Sequence, residues 1–223
     1  MPDAPRPNPP GRTRAESAIE AAKAALRDQV RAGRQVPEPA AAGRSRTAAA
    51  LAISRDHETL ALYCSVGTEP DTWPLIDALY GQGCTVLLPV LGRWPDGAVR
   101  RTPDWAVYAG PVDLRAGYAG IPEPTSPALG ADALRTASLI WCAALAATPS
   151  GRRLGTGGGW YDRALAHAAP DAVVGVLLRD REVVADVPVE WFDRPVDVIV
   201  TESRTIRVTR PDPGGEYPVD AGR

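Results

Sequence analysis

The sequence contains 223 residues, of which 44% are hydrophobic and 23% are charged, and its formal net charge is -2. This balance suits one α/β domain with a sizeable core and excludes a wholly disordered chain. It also excludes the strongly basic composition of many nucleic-acid-binding proteins, and no apolar run approaches the ~18 residues that a membrane-spanning helix needs.

The cysteines Cys64, Cys84 and Cys142 are widely spaced and form no C-x-x-C pair. Neither a zinc site nor a disulfide framework is therefore indicated. Free thiols, together with an amino-terminal stretch that lacks the apolar core of a signal peptide, predict a cytoplasmic protein. We expect small-molecule partners, no nucleic acid, no membrane and a monomeric state.

Proline-rich segments without hydrophobic periodicity lie at both ends of the sequence. We predict disordered tails over residues 1–14 and 209–223. The block between them contains no internal repeat and no convincing linker. We therefore predict a single α/β domain over residues 15–208.

The first helix is predicted to begin at Ser17, because Ser17 and Glu20 have the spacing of a capping box. Lys23, Arg27 and Arg31 follow at four-residue intervals and form a basic stripe beside an apolar one. The stripe is either a solvated surface or a set of cations that reaches into a cleft. Lys23 is the single lysine among 25 basic residues. It is either a leftover of an arginine-rich composition or a compact point charge that arginine does not replace.

Strands and helices alternate along the rest of the block. Further helices are predicted over residues 45–54, from Asp71 or Thr72 to Tyr80, and over 160–167. The predicted strands are residues 59–64, 84–90, 105–108, 138–143, 173–178, 196–201 and 205–208. Continuous apolar strands alternating with helices predict a three-layer, Rossmann-like α/β fold with a mostly parallel central sheet and helices on both faces. Ligands of such sheets bind beyond the carboxyl ends of the strands, which directs attention to the loops after Cys64, Val90 and Ala143.

The segment GRRLGTGGGWYDRAL, residues 151–165, has the composition of an anion-binding loop. Its glycines allow close approach of the backbone to a ligand, and a loop that feeds a helix can direct its amides toward an anion. Arg152 and Arg153 add cations, and Asp162 can stabilise a helix start or hold magnesium against a phosphate. No Gly-Lys-Ser/Thr follows, and the spacing is not G-x-G-x-x-G. From these residues alone, an anion loop and a flexible surface turn are equally good interpretations.

Residues 153–165 resemble the RLGxGGGYYDRxL signature of the 5-formyltetrahydrofolate cyclo-ligase family, also called methenyltetrahydrofolate synthetase. Shorter motifs of the same family appear in the same order over residues 20–202. They are K-x-x-L-R from Lys23 to Arg27, E-x-x-T at Glu69 and Thr72, a strand-ending proline at Pro89, G-I-x-E-P at 120–124, and P-x-E-x-x-D-x-x-x-D at Pro188, Glu190, Asp193 and Asp197.

The resemblance implies an enzyme that converts 5-formyltetrahydrofolate and ATP into 5,10-methenyltetrahydrofolate, ADP and phosphate with Mg2+. It implies catalytic roles for Lys23, Arg153 and Glu69, and magnesium binding by Asp162 and Asp193. The residues that it implies for ATP binding are Lys23, Arg27, Arg153, Leu154, Gly155, Thr156, Gly157, Gly158, Gly159, Trp160 and Tyr161. Those that it implies for folate binding are Arg27, Glu69, Gly158, Trp160 and Tyr161.

The sequence departs from the family pattern at four positions. Ala143 stands where the family has proline, Thr148 where it has aspartate, and Thr156 and Trp160 where it has tyrosines. The loss of a carboxylate at Thr148 motivates an alternative, a non-catalytic paralogue that binds folate or nucleotide. A sugar-phosphate isomerase is a third hypothesis, against which the K-x-x-L-R helix argues. A hydrolase triad is not supported, because neither His57 nor His167 has a suitable serine or cysteine motif.

Overall fold

A seven-stranded sheet forms the centre of the computed structural model, which describes residues 14–92, 100, 102–188 and 194–209. The strands of this sheet are β1 Thr59–Leu62, β2 Thr85–Pro89, β3 Trp105–Val107, β6 Leu139–Cys142, β9 Val173–Leu177, β10 Val198–Val200 and β11 Thr205–Arg207. Two short ribbons pair β4 Leu114–Ala116 with β5 Pro122–Pro124, and β7 Ala146–Ala147 with β8 Arg153–Leu154.

The strand order in the large sheet is β11-β10-β9-β6-β1-β2-β3. The inner strands are parallel, and only β3 and β11, at the edges, run antiparallel to their neighbours. Alternate residues of the inner strands pack into different cores: Leu60 and Leu62 on one face, Ala61 on the other. Burial on both faces explains why these strands are continuously apolar.

Four α-helices surround the sheet: α1 Arg14–Arg34, α2 Ala40–Ser54, α3 Trp73–Gly81 and α4 Trp160–Leu165. Buried residues of α2 and α3 pack into one core, and those of α4 pack into the other. The predicted mostly parallel sheet with helices on both faces is therefore confirmed. No helix within the described ranges is both long and apolar enough to cross a membrane.

Helix α1 lies against a third, smaller core. Val30 is buried there with Leu145, Ala146, Leu154 and Val187, which come from the loop after β6, from β7 and β8, and from the segment before the last parallel strand. This packing places α1 beside the carboxyl ends of the parallel strands, the edge where the sequence predicts a ligand site.

The predicted starts of the first two helices are wrong. Helix α1 begins at Arg14, so Ser17 lies inside it and does not cap it. The residues before Ser17 are good helix formers and extend the helix toward the amino terminus. Helix α2 begins at Ala40 instead of residue 45, because a run of alanines follows Pro39 and needs no side-chain cap.

The other predicted elements are present: the strands have shorter bounds, and α3 begins at Trp73 and ends at Gly81, one residue beyond the predicted Tyr80. Helix α4 stops at Leu165 instead of residue 167, and the ribbon strands β4, β5, β7 and β8 were not predicted. The predicted tails lie outside the described residues except for Arg14, which is part of α1, and Thr209, which follows β11. The bounds of the single domain remain a prediction.

Candidate active site

A cleft of about 630 Å³ opens at the carboxyl end of the parallel strands. Its walls include Cys64 and Glu69 after β1, Val90 and Leu91 after β2, and Ala143 after β6. The three loops predicted to surround a ligand therefore meet in one cavity.

Helix α1 presents three charged residues to this cleft, on successive turns: Glu20, Lys23 and Arg27. Lys23 is only 6% exposed, although it is a lysine. Arg27 Nη1 donates to Glu20 Oε1 over 2.9 Å, and its Nε donates to the Gly155 carbonyl over 3.2 Å. Lys23 and Arg27 of the basic stripe are thus turned toward the cleft, and Arg27 connects α1 to the glycine-rich loop. Arg31 does not line the cleft and donates from Nη2 to the Thr156 carbonyl over 3.3 Å.

The glycine-rich loop, residues 155–159, forms the facing wall of the cleft. Gly157 has a φ of +105°, and a β-carbon there would lie 3.4 Å from the guanidinium carbon of Arg27. Both the backbone conformation and the close approach therefore favour glycine. Within the described residues, the amides of Gly157 and Gly158 find no acceptor. They remain available to a ligand oxygen, whereas the dipole of α4, a helix of six residues, contributes little.

Arg153 and Asp162 form an ion pair in the cleft through Nη2 and Oδ1. The Arg153 side chain is 4% exposed and that of Asp162 is 26% exposed. Nε of Arg153 is buried without a hydrogen-bond partner. A buried guanidinium with an unsatisfied donor is suited to accept a further oxygen ligand.

Glu69 and two aromatic residues supply a less charged part of the cleft. Burial raises the pKa of the Glu69 carboxyl, although the Val66 N–H, 2.9 Å from Oε2, and Arg34 act in the opposite direction. Trp160 packs edge-to-face on Tyr161, with ring centroids 4.9 Å apart. Burial also raises the pKa of Tyr161 well above its usual value, and its hydroxyl has no hydrogen-bond partner. Tyr161 therefore remains a neutral donor.

Comparison with protein families decides the classification. Residues 19–202 match the model of the 5-formyltetrahydrofolate cyclo-ligase family. The chain belongs to this family.

Named relatives and solved structures agree with this result. The chain is 38% identical over 152 residues to 5-formyltetrahydrofolate cyclo-ligase from Mycolicibacterium smegmatis, covering 68% of this chain and 77% of that protein. It is 31% identical over 147 residues to the enzyme of the same name from Escherichia coli strain K12, covering 66% and 79%. The NMR structure of Aquifex aeolicus 5,10-methenyltetrahydrofolate synthetase superposes with a TM-score of 0.70 at 24% identity, covering 90% of this chain and 99% of that one.

Membership of the cyclo-ligase family makes the chain an enzyme, and the structural match supports the α/β fold independently. The cleft brings together nearly all the residues that the resemblance implied. They are Lys23, Arg27, Glu69, Arg153, Leu154, Gly155, Thr156, Gly157, Gly158, Gly159, Trp160, Tyr161 and Asp162. Their individual roles remain predictions. Asp193 lies outside the described residues.

Two expectations about charges near the cleft change within this cyclo-ligase fold. Arg152 does not line the cleft and pairs with Asp186 over 3.0 Å, so it adds no cation there. Thr148 is also absent from the cleft lining: its hydroxyl lies 2.8 Å from that of Ser150 and accepts the Arg152 N–H. The departure from the family pattern at Thr148 therefore affects a turn next to β7, not the carboxylates of the cleft.

Several lining residues were not predicted as site residues, among them Glu20, Arg100 and Tyr118. Glu20 has the helical spacing to Lys23 and Arg27 that would have indicated it. Arg100 forms an ion pair with Asp104, and Tyr118 is 67% exposed. Both lie in segments of irregular structure, where hydrophobic periodicity gives no signal.

Proposed function

We propose that the protein converts 5-formyltetrahydrofolate and ATP into 5,10-methenyltetrahydrofolate, ADP and phosphate, with Mg2+. The observation that carries this proposal is that Lys23 and the loop 155–159 share one cleft. The named relatives described above carry the name of this activity.

The charged part of the cleft is proposed to bind the triphosphate. Lys23 and Arg27 would neutralise phosphate oxygens from α1, and the amides of Gly157 and Gly158 would donate to them from the opposite wall. Nε of Arg153, buried without a partner, would bind an oxygen of the transferred phosphoryl group. Positioning and neutralisation of developing charge are the main tasks of a phosphoryl-transfer site.

The aromatic part of the cleft is proposed to hold the folate. Trp160 and Tyr161 would pack against its rings, with Arg27 and Gly158 near the boundary between the two ligands. Glu69 would contact the pterin or the formyl group. Its raised pKa makes the protonated form more accessible, so it can donate as well as accept a hydrogen bond.

The reaction then follows from alignment. The formyl oxygen attacks the γ-phosphorus, a new P–O bond forms, and ADP leaves. The resulting imidate carbon is electrophilic, and the neighbouring folate nitrogen attacks it and loses its proton, which the departing phosphate can take. Its C–O bond then breaks, phosphate leaves, and the ring is closed. The residues of the cleft bring the reacting atoms together and exclude water.

The carboxylates of this cleft suit a magnesium ion that also binds substrate phosphates. Among the described residues no group of three or more histidines, cysteines and carboxylates could hold a metal ion. Magnesium bound by one or two carboxylates and substrate phosphates needs no such group. Asp162 would supply one carboxylate, with Asp193 as the second, and the ion would neutralise phosphate charge.

We further propose that the enzyme acts as a cytoplasmic monomer. Cys64, Cys84 and Cys142 are free thiols, and two of them are buried. This is the state expected in a reducing compartment. Size-exclusion chromatography with light scattering tests the monomeric state.

The test is an assay of the purified protein with 5-formyltetrahydrofolate, ATP and magnesium. We expect an increase in the near-ultraviolet absorbance of methenyltetrahydrofolate, stoichiometric with ADP. Omission of ATP is the control. Folate binding without product would reject the catalytic proposal and favour the non-catalytic paralogue.

A further inference from the structure

A buried ion pair holds the carboxyl-terminal end of α1 from outside the cleft. Arg34, the last residue of α1, is 3% exposed. Its Nε donates to Glu182 Oε1 over 2.8 Å and its Nη2 to Oε2 over 2.9 Å. Nη2 also donates over 2.9 Å to the carbonyl of Ala144, next to Ala143 in the cleft wall. The two parallel hydrogen bonds between Arg34 and Glu182 fix the relative orientation of the two side chains as well as the distance between them.

Two neighbours of Glu182 bind the end of α1 and the chain that follows it. Arg181 Nη2 donates to the Gly33 carbonyl over 2.6 Å, and Arg179 Nη1 donates to the Val36 carbonyl over 3.0 Å. The last carbonyls of a helix have no partner within the helix and carry partial negative charge. The segment 179–182 therefore binds the last turn of α1 at Gly33 and the chain just after the helix at Val36, and it places two cations near the negative end of the helix.

Arg179 also contacts the loop that bears Glu69. Its Nη2 donates over 3.0 Å to the carbonyl of Thr68, the residue before Glu69. The Arg179 side chain is buried. A single buried guanidinium thus connects the chain that directly follows the Lys23 helix, at Val36, with the loop that carries Glu69.

None of these residues lines the cleft as the structure describes it, so they act on a ligand only through the elements that they hold. Lys23 and Arg34 lie on one continuous helix, about 16 Å apart along its axis at a rise of ~1.5 Å per residue. A rotation or slide of α1 at Arg34 is therefore transmitted to Lys23.

We propose that Arg34, Arg179 and Glu182, called here the rear clamp, are positioning residues that fix Lys23 and Glu69 relative to each other. The importance of these two groups rests on the proposed function. Stability alone does not explain the rear clamp, because replacing a buried ion pair with apolar residues is often neutral or stabilising. An apolar pair in the same place would not fix the direction of α1.

Glu182→Gln tests the proposal by a readout that needs no substrate. Lys23 is the single lysine of the chain, so acylation by acetic anhydride, followed by peptide mass analysis, reports on its exposure alone. We expect the acylation rate to rise by about tenfold or more, the effect of losing a charge-assisted hydrogen bond that holds the docked helix. Asp186→Asn is the matched control, since it makes the same change in the exposed pair with Arg152.

An acylation rate equal to that of the native protein, at a temperature where both are folded, would overturn the proposal even if the melting temperature fell. If Glu182→Gln does not fold, the double variant Arg34→Met/Glu182→Leu removes both charges of the pair. The acylation rate of Lys23 in this variant then tests the proposal. In the active enzyme, Glu182→Gln should raise KM for ATP, and Arg179→Met should also raise KM for the folate. An inactive native protein would reject the proposed function and leave the acylation result decisive.

Discussion

Nη2 of Arg153 donates to the Asp162 carboxylate, so the cleft holds a cation and an anion that are already paired. A magnesium–nucleotide complex would approach both groups at once. Under the proposed function, Asp162 would hold the metal ion and Arg153 would neutralise phosphate charge, so the two paired groups would serve oppositely charged parts of the same ligand.

Asp162→Asn should therefore raise the magnesium concentration needed for half-maximal activity. We expect a change on the order of tenfold or more, since even indirect metal partners affect affinity by ~10–100-fold. Titration of magnesium at saturating ATP measures it. Asp186→Asn, which breaks the exposed pair with Arg152, should leave the titration unchanged. An unaltered magnesium dependence in Asp162→Asn would show that this carboxylate only braces Arg153.

Lys23→Met should lower kcat/KM by about 10²–10³, the usual effect of removing a group that stabilises transition-state charge. The residue is 6% exposed, so solvent screens the charge of its ammonium group only weakly. Initial rates at varied ATP measure the effect. Arg44→Met removes a cation from the exposed surface of α2 and is the control. Full activity in Lys23→Met would remove the central element of the proposed ATP site.

Gly158→Ala should affect the approach of a ligand to the glycine-rich loop without affecting the stability of the fold. A β-carbon at Gly158 meets no protein atom within 4 Å, whereas at Gly157 the positive φ adds strain. Gly158→Ala should therefore keep the stability within about 0.5 kcal/mol, as surface substitutions do. KM for ATP should nevertheless rise, because the methyl group occupies the space where a phosphate would meet the amides. An unchanged KM would place the phosphates elsewhere.

The sequence was sufficient to predict the sheet and the loops of the cleft, because both depend on local patterns. The apolar strands at Leu60 and Ile140 are buried on both faces, and the glycine-rich segment is contiguous. The contacts between distant segments were not predictable. Arg34 and Glu182 lie far apart in the chain, and nothing in their local sequence indicates a buried pair. For Arg152 the local sequence was misleading. It stands next to the glycine-rich loop in the sequence, but it pairs with Asp186 and does not line the cleft.

Thr148→Asp should leave the magnesium dependence unchanged. The Thr148 hydroxyl accepts the Arg152 N–H over 3.1 Å in a turn outside the cleft lining, and an aspartate can accept the same bond. The physical role of this position is therefore to stabilise the turn. Activity as a function of magnesium, together with urea unfolding, checks both points. A lower magnesium requirement in Thr148→Asp would show that the turn approaches the metal when ligands bind.

Glu69→Gln should change how stability depends on pH. Burial raises the pKa of Glu69 in the folded state, so between its unfolded and folded pKa values the folded protein binds more protons. Glu69 therefore favours folding at low pH, and this contribution is lost as pH rises through the folded pKa. The glutamine side chain of the variant would carry no charge to desolvate and can still accept the Val66 N–H.

The free energy of unfolding of Glu69→Gln, minus that of the native protein, should thus increase as the pH rises from the unfolded pKa of Glu69 through its folded pKa, and then level off. Urea unfolding of both proteins across this range measures the difference, in which the other titrating groups cancel. Glu58→Gln, which removes an exposed carboxylate next to β1, controls for the change in net charge. A difference that falls with rising pH would mean that the Val66 N–H and Arg34 outweigh desolvation. The charged form of Glu69 would then be the one that the cleft stabilises.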